Sequence, residues 1–161
     1  MEVTGTELLR ALADARAEVE AALAGLDETQ LLTADTCGTW SIKDVLAHLA
    51  ACEAELVSGL AKIRRGQRPG KVFYTDAEIQ AQNETWHAEN RDRPLDAILA
   101  DFHGVRRQLI RQLEALSDQD LNAPRPWYQQ GTIADWIQAE SVAHDRGHGL
   151  ELAEWRRRQG V

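Results

Sequence analysis

The chain lacks the means to cross a membrane, to staple itself or to grip nucleic acid through a basic surface. No stretch of its 161 residues approaches the ~20 consecutive apolar residues of a spanning helix, and the acidic start does not resemble a secretory signal. No membrane association is expected. Only two cysteines occur, Cys37 and Cys52. Their separation fits neither a metal-binding pair nor a redox pair, so a reducing cytoplasm is the expected home. Cations are outnumbered, 18 Lys and Arg against 26 Asp and Glu, for a net charge of -8. Recognition of a phosphate backbone needs clustered cations that displace counterions, so nucleic acid is not expected as a partner. The short basic runs, Lys62 to Arg68 and Arg156 to Arg158, fall at apparent helix ends and there favour the negative end of the helix dipole. Strand-like alternation of useful length, internal repeats and low-complexity tracts are all missing.

The remaining composition is that of an ordinary globular chain. Hydrophobic residues make up 43% and charged residues 27%, enough to bury a core within one domain spanning 1–161. Leu8, Leu12, Ala15, Val19, Ala22 and Leu26 repeat at helical spacing and predict a first helix ending near Gly25. Ser41 with Asp44 forms a capping box, and Trp40 can staple against Val45. The stripe Ile42, Val45, Leu49, Cys52, Leu56, Leu60 and Ile63 follows, until Gly66, Pro69 and Gly70 stop the helix. Thr75 and Glu78 start a short, weakly apolar helix running to about Arg91. Pro94 opens the next, with Leu95, Ile98, Phe102, Val105, Leu109, Leu113 and Leu116. After a polar loop from Ser117 to Gly131, Thr132 and Asp135 start a last helix carrying Ile133, Trp136, Ile137, His144, His148, Leu152 and Trp155. Four long amphipathic helices and one short one predict an all-α four-helix bundle.

Its chemistry resides in histidines. Glu140, His144 and His148 follow one another at four-residue spacing and therefore stack on one helix face. Neutral imidazoles are ligands for zinc, nickel or ferrous iron, and two of them one turn apart can grip one ion. A third must come from elsewhere. His48, at the rim of the second helix's stripe, is the natural choice, with Asp44 one turn earlier as a possible orienting group. Alternatively, these are hydrogen-bonded histidines at a core edge or on a wet face. Cys52 reads either as a small buried hydrophobe or as a thiol facing the pocket. His103, Trp86 and Trp127 are further candidates for pocket lining, His87 for the surface, and Glu53 and Glu55 for solvated positions, with Glu53 near enough to contact an edge of the site.

The run from Trp40 to Leu49, Trp-Ser-Ile-Lys-Asp-Val-Leu-Ala-His-Leu, resembles the second-helix signature of the DinB-like superfamily. The Asn83 segment, the Arg93-Pro94-Leu95 start and the final His144-x-x-x-His148 resemble its colibactin-resistance ClbS and DfsB-type branch. That resemblance, from about Leu8 to Trp155, implies an up-down-down-up bundle of DinB type, often dimeric. It also implies a triad at His48, His144 and His148 that binds a divalent ion such as zinc or nickel. The activities it implies are thiol-dependent transfer or isomerisation and hydrolytic opening of an electrophilic cyclopropane. Two departures are visible: Cys52 stands where an aromatic is common, and Asp145 and Gly147 replace a Tyr and a Glu between the final histidines.

The leading expectation is a small metal-dependent enzyme acting on an electrophilic metabolite or toxin. His48, His144 and His148 would hold the ion, water or a low-molecular-weight thiol would be the nucleophile, and Glu140 would shuttle a proton. One alternative is a metal-independent hydrolase in which a neutral histidine and Glu140 activate water. The other is a non-catalytic ligand-binding or homodimer-forming bundle.

Overall fold

Helix starts in this chain are written as capping boxes. Thr4, Asp27, Ser41, Thr75, Ser117 and Thr132 each accept the backbone N–H three residues on. In return, Glu7, Gln30, Asp44, Glu78, Asp120 and Asp135 accept the N–H of the capping residue. Each box satisfies two donors that a helix would otherwise leave open. In the computed structural model, which describes residues 2–161, these starts open α1 (Gly5–Leu23), α2 (Glu28–Leu32), α3 (Ile42–Arg64), α4 (Asp76–Asn90), α6 (Asp118–Asn122) and α7 (Ile133–Ile137). The remaining long helix, α5 (Leu95–Glu114), has Pro94 as its N-cap residue without a side-chain cap bond. A π-helical turn, Gln138–Ala143, joins α7 to α8 (His144–Gln159), so the C-terminal helix is one rod with a wide turn in it.

Two apolar clusters reveal the chain directions. One gathers Leu8 and Leu12 of α1, Leu56 and Leu60 of α3, Leu109 and Leu113 of α5, and Ile133, Trp136 and Ile137 of α7. The other gathers Val19 and Ala22, then Ile42, Val45, Leu46 and Leu49, then Ile98 and Phe102, and finally Leu152. Helix α1 therefore runs from the first cluster to the second, α3 and α5 run back, and α7–α8 runs the same way as α1. The bundle is up-down-down-up.

It carries more short helices than the single one expected. Beside α4 stand α2, α6 and a 3-10 turn at Pro126–Tyr128. The boxes at Asp27 and Ser117 create α2 and α6, each too short to show an apolar period. Helix α4 buries none of its residues and is held mainly at its C-terminal end. There the largely buried Lys43 donates from Nζ to the carbonyls of Arg91 (2.7 Å) and Arg93 (2.9 Å). Among the described residues no helix is long and apolar enough to cross a membrane.

Candidate functional site

The π turn sets the geometry of the site. One residue more than an α-turn holds advances every following side chain by about 100°. Before the turn the buried face is Ile133, Ala134, Trp136 and Ile137; after it the face is Asp145, Gly149 and Leu152. Within the turn Ser141 and Val142 are buried and Glu140 is exposed. The expected stack of Glu140, His144 and His148 is thus corrected. The two histidines stay at the core edge, while Glu140 turns toward solvent and Ser141 takes the inward place above Asp145.

His48 on α3 meets His144 and His148 from α8. All three are partly buried, and each offers a ring nitrogen within 4.8 Å of the others. The Nε2 atoms of His48 and His144 lie 3.0 Å apart, a hydrogen bond in which one ring donates and the other accepts. The rings pack edge to face, 4.9 Å between centroids for His48–His144 and 5.3 Å for His48–His148. Burial and the two neighbouring imidazoles push the His48 pKa down to about 3. Burial and His148 push His144 down to about 4. Both are neutral at physiological pH, so lone pairs are available at the cluster.

Each ring has an outer partner. Asn83 of α4 approaches His48 as a hydrogen-bonding group. The backbone carbonyl of Glu140 serves His144. Glu151 lies 3.0 Å from Nδ1 of His148. Asp44, considered as the orienting group for His48, instead closes the capping box with Ser41 and lies 3.5 Å from His87. His87 is no free surface residue either, since it stacks on Trp40 at 5.7 Å with a 7° interplanar angle. Trp40, Asp44, His48, Asn83, Trp86 and His87 enclose a cavity of about 10 Å³, room for about one water.

Cys52 faces the site, its Sγ 3.8 Å from both nitrogens of His48. Burial, followed by the charges of Glu140 and Glu55, raises its thiol to about 12 and keeps it protonated. Glu140 itself is raised by desolvation although much of its surface is exposed; the carboxyl stands at a sheltered rim. His103 does not line the pocket, being exposed on α5 and 3.9 Å from Glu20. Trp127 packs edge to face on Trp136, 5.5 Å away, within the other apolar cluster. Of the four lining candidates, Cys52 and Trp86 belong to the site. A larger open groove of about 930 Å³ between α3, α4 and α5 contains none of the three histidines.

Beneath the cluster lies a buried charge network. Arg16 of α1 donates to Asp145 (2.8 Å), to Glu53 (3.3 Å) and to the Phe102 carbonyl (2.9 Å). Arg106 of α5 donates to Glu53 (2.9 Å), Asp145 (2.7 Å), Ser141 (3.1 Å) and the Leu12 carbonyl (2.8 Å). Ser141 donates to Glu53 at 2.6 Å. None of the four charged residues is more than 7% exposed. Glu53 is therefore not solvated; it is the α3 member of a charge-balanced set to which all four bundle helices contribute. A signal for it was present, because Arg16 and Arg106 each stand four residues after a stripe position, Leu12 and Phe102.

The family model of the mycothiol maleylpyruvate isomerase N-terminal domain matches residues 12–146. No curated protein matches the sequence significantly. Among solved structures, the colibactin self-resistance protein ClbS, determined in complex with a double-stranded DNA, aligns with a TM-score of 0.82 at 15% identity over 96% of each chain. The structure named Sibling Lethal Factor Precursor - DfsB aligns at 0.81 and 17%, over 99% of this chain and 98% of that one. An uncharacterised protein of Escherichia coli UTI89 aligns at 0.81 and 18%, over 98% and 95%. The DinB-like bundle read from the second helix, and its ClbS/DfsB-type form read from the Asn83 segment, Arg93-Pro94-Leu95 and the final histidine pair, is thus the fold of this chain. A neighbour of the same fold seated on duplex DNA overturns the exclusion of nucleic acid. Net charge sums the whole surface, whereas a duplex meets one face, and an acidic total does not describe each face.

Proposed function

The chain belongs to the mycothiol maleylpyruvate isomerase N-terminal domain family, and on that premise we propose an enzyme that adds water or a low-molecular-weight thiol to an electrophilic small molecule at His48, His144 and His148. The observation that carries this reading is the convergence of three ring nitrogens within 4.8 Å at the edge of an apolar bundle. Polar rings do not gather in such a place without a partner or a task.

In its first form the chain's own groups suffice. The Nε2–Nε2 hydrogen bond of 3.0 Å leaves one imidazole lone pair as acceptor. A water or thiol that enters the cluster can replace that contact and give its proton to the ring as it attacks. The strained bond to the attacked carbon breaks, and Glu140, at the rim with a raised pKa, relays the proton to the carbon or oxygen so released. The likeness to a colibactin self-resistance protein supports this form.

A second form is favoured by the donor set. Three half-buried imidazoles without a carboxylate among them suit a divalent ion of the zinc or nickel kind. Tetrahedral bonds of 2.0–2.1 Å would place nitrogens about 3.3 Å apart, near the 3.0 Å between His48 and His144 and inside the 4.8 Å that spans all three, so the residues fit. When bound, such an ion supplies Lewis acidity that lowers the pKa of water or a thiol. His48, His144 and His148 would hold it, and Asn83, the Glu140 carbonyl and Glu151 would orient the rings. The thiol in the family's description supports this form.

Turnover of cyclopropane- and epoxide-bearing probes, with and without added thiol, tests the proposal. His48→Ala and His144→Ala should each lower turnover by about 100-fold or more with unchanged far-UV circular dichroism; full activity in both variants would remove it. Activity that survives chelation selects the first form. One divalent ion per chain, absent from His144→Ala, selects the second.

A further inference from the structure

Resting on the histidine-centred reading above, we propose that Asp145 is a positioning residue. Clamped by Arg16 and Arg106, and backed by Ser141 and Glu53, it locks the π turn and thereby aims His144 and His148 at His48.

A π turn trades the normal backbone spacing for a wider one and is rarely stable by itself. Here Gln138–Ala143 is tied to the network at two points of the C-terminal rod. Ser141 lies inside it, donating to Glu53 and accepting from Arg106. Asp145 lies two residues beyond it, with a single oxygen, Oδ2, accepting from Arg16 at 2.8 Å and from Arg106 at 2.7 Å. Arg16 comes from α1, which packs along the C-terminal rod, and Arg106 reaches across the core from α5, which packs on α3, so the two guanidiniums meet Asp145 from different directions and fix the rotation of the rod.

Rotation is the variable that matters for the cluster. Successive side chains on a helix differ by about 100°, so seating Asp145 beneath two guanidinium groups also fixes the direction of His144 beside it. His148, one turn further on, follows. Were residues 138–143 an unbroken α-helix, the rod would hold one residue too many for both its buried faces. Either Ile133, Trp136 and Ile137 or Asp145, Gly149 and Leu152 would rotate out of the bundle, and the histidine pair would swing with the second set. A buried ionic set gives little net stability over a well-packed apolar one. What the hydrogen-bonded set adds is direction, because its donors and acceptors meet at one azimuth of the rod.

The test reads the rings directly, in metal-free protein without substrate. Long-range proton–nitrogen spectra of 15N-histidine-labelled protein report the tautomer and environment of each imidazole. Asp145→Asn and Ser141→Ala should displace the His144 and His148 signals and abolish the His48–His144 pattern, leaving His87 and His103 in place. Ser141→Thr, which keeps the hydroxyl, should restore the parent pattern. A variant that melts earlier but whose five imidazoles superpose on the parent would show a merely structural role and overturn the proposal. If Asp145→Asn does not fold, Ser141→Ala decides by the same criterion, since it removes no charge. Loss of the catalytic reading through the probe assays would leave these spectra fully interpretable.

Discussion

Arg106→Met isolates the buried network from everything around it. Methionine keeps most of the stem's packing volume, so the change removes chiefly the guanidinium and its bonds. Four acceptors lose a donor at once: Glu53, Asp145, Ser141 and the Leu12 carbonyl. Charge balance fails as well, because Arg16 alone must then serve two carboxylates, both residues being 2% exposed. Breaking a buried ion pair from one side costs about 3–5 kcal/mol. At roughly 2–4 °C per kcal/mol for a chain of this size, Tm should fall by about 6–20 °C. Urea unfolding followed by circular dichroism measures the loss. Arg107→Met, one residue away and exposed, is the control and should stay within about 0.5 kcal/mol. Adding Glu53→Leu to Arg106→Met should return part of the loss, because the stranded carboxylate is gone. A loss below about 1 kcal/mol in Arg106→Met would refute the reasoning, since a network that tolerates an unpaired buried charge is not holding four helices together.

Acid should loosen the fold through the histidines. His48 and His144 titrate near 3 and near 4 in the folded protein, below the ordinary 6.5. Their stabilising contribution is therefore complete above about pH 6.5 and is lost as pH falls through the folded values. At about 1.4 kcal/mol per unit the coupled pair is worth on the order of a few kcal/mol. A His48→Gln/His144→Gln variant should show a flatter stability profile between pH 7 and 4, and a profile parallel to the parent's would contradict the burial argument. Gly59→Ala should destabilise by about 1–3 kcal/mol, because a Cβ there collides with the Trp136 indole and comes within 3.2 Å of Pro69. Unchanged tryptophan fluorescence together with unchanged Tm would sink that expectation.

The bundle was legible because local signals agreed with one another. Ser41 with Asp44, Thr75 with Glu78 and Thr132 with Asp135 announced helix starts, and the apolar stripes between them named most of the core. The meeting of His48 with His144 and His148 was also legible, since each lies on the edge of such a stripe and a bundle leaves few places for three edges to meet. The short helices were not, because a five-residue helix has no room for a period to appear. His87 was read as surface for a similar reason: α4 has almost no stripe, and the contact of His87 with Trp40 lies beside the Lys43 clamp at the C-terminal end of that helix.

The turned-out position of Glu140 and the buried position of Glu53 share a cause. A period of 3.6 places Glu140 on the line of His144, and that inference is sound for any unbroken helix. The π turn cancels it, and nothing in Gln138–Ala143 taken alone marks the insertion. The mark lies on other helices, in Arg16 and Arg106, which stand where the stripes of α1 and α5 call for apolar side chains. Two buried guanidiniums require carboxylates at the same depth. Among the described residues the buried carboxylates are Glu53 on α3 and Asp145 on α8, and Asp145 reaches that depth through the rotation that the extra residue gives the C-terminal helix. The polar exceptions on two stripes thus demand the irregular turn on a third helix, and the same rotation that buries Asp145 leaves the neighbouring His144 at the edge of the core, 3.0 Å from His48.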